Sequence, residues 1–152
     1  MALNFESYVS KGNEMVNRIS TELEVPRDQG ARILRSTLKA LRHQLTLEEN
    51  FDLIAQLPMM IKAVYVDGWN PTKNNWRPHS LTDFFANIRT NDGDSSGYDF
   101  GNDAQTYSIV KIVFKVMNEY ISGGEWDDIK SVVSKPLQNL LEQVENELVF
   151  ES

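Results

Sequence analysis

The chain has 152 residues, no cysteine, and 22 acidic against 15 basic side chains, for a formal charge of −7. With 41% hydrophobic and 24% charged residues it is too apolar for a disordered chain, and one domain is the expectation at this length. The lack of cysteine excludes disulfides, thiolate zinc sites and thiol catalysis, and lysines such as Lys111 break the apolar runs well short of the ~20 residues a membrane span needs.

The first residues lack a basic segment followed by an apolar one, which predicts no secretory leader and a cytoplasmic location. Phe5, Tyr8, Val9, Val16, Ile19 and Leu23 recur at helical spacing and predict a helix over about 4–23. Pro26 suits the first turn of a second helix running to about Gln44. Its apolar stripe is Ala31, Leu34, Leu38, Leu41 and Leu45, and its polar face carries Arg32, Arg35, Lys39 and Arg42. Thr46 and Glu49 form the pattern of a capping box opening a third helix. Pro58 either kinks that helix or opens a short one ending near Val66, before Asp67 and Gly68.

A connector over 68–79 holds Trp69 and Trp76, and Ser80 with Asp83 caps the next helix. A helix over about 104–121 is apolar almost all round, through Ile109, Val110, Ile112, Val113, Phe114, Val116 and Met117, and is expected at the centre of the molecule. Ser122 and Glu125 repeat the capping-box pattern before a helix over about 126–149 that bends at Pro136. The apolar stripe of that last helix, from Leu137 to Leu148, packs on the first helix of the same chain or seals a homodimer.

A shift of 76 residues maps the Ala31–Leu45 stripe onto Tyr107, Val110, Phe114, Met117 and Ile121, and Thr46 onto Ser122. Past that point a shift of 78 pairs Pro58 with Pro136, with a two-residue insertion near Trp126. The expected fold is one all-α domain over 1–152. It is a compact bundle of two pseudo-repeated halves of three to four helices each, about 4–67 and 80–150, joined by the linker 68–79.

The stretch from Ile33 to Trp69, with Ala55, Gln56, Leu57 and Pro58 and then Val64 to Trp69, resembles a bacterial family catalogued as domain of unknown function 2267. The resemblance covers nearly the whole chain. The second half departs from the pattern, since Lys135 precedes Pro136 and no Gly-Trp follows. The resemblance implies a small, duplicated helical protein, and the family brings no assigned activity, substrate or catalytic residue to carry over.

Three local patterns bear on function. Residues 92–103 place Asp92, Asp94, Ser96, the Tyr98 carbonyl and Asp103 at calcium-loop positions around Gly97; Asp99 and the aspartate at the last position depart from that pattern. The preferred reading there is an acidic connector, with calcium binding as the alternative. Arg32, Arg35, Lys39 and Arg42 could bind phosphate, but a net acidic chain argues against nucleic acid and for an ion-paired surface. Trp69 and Trp76 suit a seam between the halves or a recognition surface. His43 and His79 are the only histidines, and no nucleophile elbow, phosphate loop or zincin motif occurs, so an enzyme would need an unrecognised carboxylate site. The function expected from sequence is a binding or interaction module for an unidentified protein or small ligand. It is expected to work without catalytic residues or a cofactor, away from membranes, and to self-associate as a homodimer or act alone.

Overall fold

The structure, a computed structural model, describes residues 3–73 and 80–151, with side chains to 148. Among the described residues every regular element is helical. The helices are α1 (Phe5–Leu23), α2 (Arg27–Gln44), α3 (Leu47–Gln56), α4 (Met59–Val66), α5 (Leu81–Asp92), α6 (Ser96–Phe100), α7 (Asp103–Asn118), α8 (Gly123–Val132) and α9 (Lys135–Glu151). Short 3₁₀ turns cover Pro71–Lys73 and Gly93–Ser95. None of the described helices is long and apolar enough to cross a membrane.

Polar caps define most starts. The side chains of Asn4, Thr46, Ser80 and Ser122 accept the amides of Ser7, Glu49, Asp83 and Glu125. Asn102 and Gln105 form the full reciprocal box at the start of α7. Pro58 occupies the cap position of α4 and opens a new helix, one of the two outcomes its missing N–H permits.

Three expectations are corrected here. The 126–149 helix is two helices, broken at Val133, whose backbone is extended, and not bent at Pro136. Pro136 falls in the first turn of α9, where an N–H has no intrahelical partner to lose. The helix starts do not follow the shift of 78: Leu47 and Gly123 stand 76 apart, as do Met59 and Lys135, and Ser134 holds the place before α9 that Pro58 holds before α4. The expected connector at 92–103 is helical over most of its length. Gly93 and Gly101, at φ +73° and +64°, make its two sharp turns.

α2 and α7 pack on each other in the interior, and each also meets α1 and α5. From α2 come Ile33, Leu34, Leu38 and Leu41, and from α7 come Val110, Val113, Phe114 and Met117, all buried. The expectation that α7 alone is central therefore needs amending, because Ile109 and Ile112 are only half-buried while α2 is enclosed on most sides. α1 approaches α2 so closely that a Cβ on Gly30 would fall 2.1 Å from Ser20 Oγ. Leu137, Leu140, Leu141 and Val144 of α9 are buried within this chain, where α9 packs chiefly on α7 and α8.

Candidate functional site: an acidic seam between α3 and α8

The N-terminal turns of α3 and α8 bring four carboxylates into one region. Glu49 and Glu125 each occupy the third helical position, with the amide held by the cap hydroxyl of Thr46 or Ser122 at 3.1 Å. Asp52 and Asp128 follow three residues later, one turn along the same faces. Glu49 and Glu125 are only 8% and 6% exposed. One oxygen from each, with one from the exposed Asp128, lies within 4.8 Å of the other two.

The glutamates do not complete the capping boxes expected of them. The amide of Ser122 is taken instead by Gln56 Oε1 at 2.7 Å, reaching across from the end of α3. Glu125 is thereby released to face Glu49, and Oε1 of each is buried without a hydrogen-bonding partner. Burial, then a hydrogen bond with Glu49, then the charges of Glu49, Asp52 and Asp128 push Glu125 up to about 8. The groups acting most strongly on it are all acids. Beneath the seam, Asn50 Nδ2 donates to the carbonyls of Arg42 and Thr46, and the Tyr65 hydroxyl donates to Asn50 Oδ1, which fixes the first turn of α3.

The family described as uncharacterised conserved protein, DUF2267, matches residues 12–140. The chain belongs to the DUF2267 family. No curated protein sequence matches it. The DUF2267 match spans both α3 and α8, so the whole seam lies within the family's region.

Elsewhere in this DUF2267 chain a second carboxylate pair gives a useful contrast. Asp92 and Asp99 also face each other, and burial followed by Asp99 pushes Asp92 up to about 6. That pair has its own donors: Ser36 Oγ donates to Asp92 at 3.0 Å, and Arg32 donates to both oxygens of Asp99 at 2.8 and 2.9 Å. Burial raises Asp99, but the Arg32 guanidinium and the bond from Asp92 outweigh it and hold Asp99 below its ordinary value. Of the remaining residues considered for calcium, Asp103 pairs with Arg89, Tyr98 is exposed, and Asp94 and Ser96 lie on separate turns.

The basic face of α2 is also dispersed. Arg32 is bound to Asp99, while Arg42 is buried and donates to the carbonyls of Tyr65 and Asp67 at the end of α4. Arg35 is exposed and Lys39 half-buried. Trp69 packs edge-on against Phe51 of α3, with ring centroids 5.9 Å apart. Trp76 and His79 lie outside the described residues. His43 bonds Asn87, and burial followed by Arg42 lowers its pKa.

Sequence reasoning missed Glu49, Glu125 and Asp128 because each had a sufficient local explanation as a cap or a helix-start charge, and nothing in its own segment marked Asp52. One signal was available. Both pairs are Glu-x-x-Asp, and they stand 76 residues apart.

Proposed function

We propose that the protein is a binding module for a cationic ligand, working through the seam between α3 and α8. The observation that carries this reading is the pair of glutamates more than nine-tenths buried, each with one oxygen lacking a donor, and each with an oxygen within 4.8 Å of the other's and of Asp128's. The two glutamates share a hydrogen bond, but one oxygen of each is left buried without a donor, which is costly, and a bound cation supplies that partner. The 92–103 segment is the runner-up for a cation. Asp92 Oδ2 there also lacks a donor, but Asp92, Asp99 and Asp103 each accept from Ser36, Arg32 or Arg89, which is why the seam is preferred.

The module is read as two copies of one four-helix unit. In support, α1 and α5, α2 and α7, α3 and α8, and α4 and α9 each begin 76 residues apart. The cross-packing is reciprocal as well, with α1 against α7 and α5 against α2. On this reading Glu49 and Glu125 are the same residue in each copy, and the seam lies where the copies meet.

Thermal melting in metal-free buffer, with and without metal ions or spermidine, tests the cation reading. At about 100 times its dissociation constant a ligand adds about 2.7 kcal/mol, a rise of roughly 5–10 °C for a domain of this size. The rise is expected to disappear in Glu125→Gln and to persist in an Asp92→Asn, Asp94→Asn variant. No shift with any cation, or one lost only in the second variant, overturns the reading.

A further inference from the structure

We propose that the occupant of the seam is a single hard divalent metal ion, held by Glu49, Glu125 and Asp128 and bridging the two halves of the chain. This rests on the cation reading above and names its ligand. Every donor is a carboxylate oxygen, and an all-oxygen set selects calcium, magnesium or manganese over metals that favour nitrogen or sulfur.

Distance is the first argument for a metal. Three oxygens no more than 4.8 Å apart leave a point within about 2.8 Å of all of them (4.8/√3), close to the about 2.3–2.6 Å of a calcium–oxygen bond. Small side-chain rotations close the difference. An organic ammonium needs room for its carbon body, whereas the two glutamates at the centre are almost fully enclosed.

Charge is the second. Three carboxylates around one point carry up to three negative charges, so a monovalent ammonium leaves a larger buried excess than a divalent ion does. Asp52 is the fourth acid in the neighbourhood, acting on Glu125 through its charge. It stands outside the group of three close oxygens and adds negative charge to the seam.

Support for the donors is the third. Glu49 and Glu125 stand on the first turns of two helices, with amides fixed by Thr46 and Ser122, and Gln56 frees Glu125 from its local cap. Asp128 is exposed, which leaves one side of the ion open to water. The Asp92 and Asp99 pair shows the alternative solution in the same molecule, since Arg32 provides the cation there. No corresponding arginine or lysine is among the groups acting most strongly on Glu125.

The test is titration calorimetry of the chelator-treated full chain with Mn²⁺, Mg²⁺ and Ca²⁺ separately, with spermidine as a fourth arm. Expected is one ion per chain for at least one metal. Affinity should fall at least about tenfold in each of Glu49→Gln, Glu125→Gln and Asp128→Asn, which keep side-chain size. Paramagnetic broadening by Mn²⁺ in amide spectra of the parent chain should centre on the first turns of α3 and α8, independent of any variant's folding. Spermidine binding that is lost in Glu125→Gln, with no metal bound, overturns the metal assignment and leaves the cation reading standing. Metal binding with broadening elsewhere, or unaffected by all three variants, overturns the assignment. No binding by any of the four cations removes both readings.

Discussion

Asp92 and Glu125 are both carboxyl groups held above their ordinary range, and burial is the leading cause in each. A group whose pKa is raised on folding binds its proton more tightly in the native state. The stability it contributes is full below its unfolded pKa and is lost as pH rises through the folded value. For Asp92 the window runs from about 4 to about 6, and for Glu125 from about 4.5 to about 8. Asp99, held low, works in the opposite sense and only at more acid pH. In chelator-treated protein these two groups therefore lower the melting temperature as pH rises from 4 to 8, while His43, whose pKa is held down, works against them below its ordinary value. Asp92→Asn should flatten the lower part of that fall and Glu125→Gln the upper part. Melting curves at half-unit pH steps check this, and a Glu125→Gln profile parallel to the parent between pH 6 and 8 would refute it.

At the scale of elements, α8 depends on a residue outside itself. Its cap hydroxyl comes from Ser122, but the Ser122 amide is satisfied by Gln56 from the end of α3. Gln56→Ala removes that acceptor and is expected to destabilise the protein by about 0.5–1.5 kcal/mol, measured by urea unfolding. Hydrogen exchange should quicken first at the start of α8; quickening confined to α3 would mean that the bond does not hold the seam. The same scale explains why 92–103 is helical despite its Gly, Asp and Ser content. Asp99 and Phe100 are buried against their neighbours, and Arg32 of α2 anchors the short α6. Tertiary contacts there override the local preference for a loop.

Across the whole molecule, Trp126 follows Glu125 directly and carries the seam into the core. It is 2% exposed and meets the ring of Phe114 on α7 edge-on, with centroids 6.3 Å apart. Trp126→Ala is expected to cost about 3–5 kcal/mol by equilibrium unfolding, as large core truncations do. A loss below 1 kcal/mol would show that α8 is peripheral to the fold. Because Trp126 and Glu125 are adjacent, metal binding and global stability are expected to be linked, with the ion stabilising the native state by mass action.

The helical class and most helix boundaries were legible in the sequence, because apolar spacing and capping residues are local properties that each segment carries alone. Ser80, Thr46 and Ser122 cap the helices that their positions imply. The fate of the polar residues was decided by the tertiary structure. Arg42 reads as part of an exposed ridge yet is buried against α4, and Arg32 closes on an aspartate 67 residues away. Glu49 and Glu125 read as caps, and only the meeting of α3 and α8 brings their carboxylates together. A charge is matched by whatever group folding brings near it, and that proximity is set by packing between segments far apart in the chain.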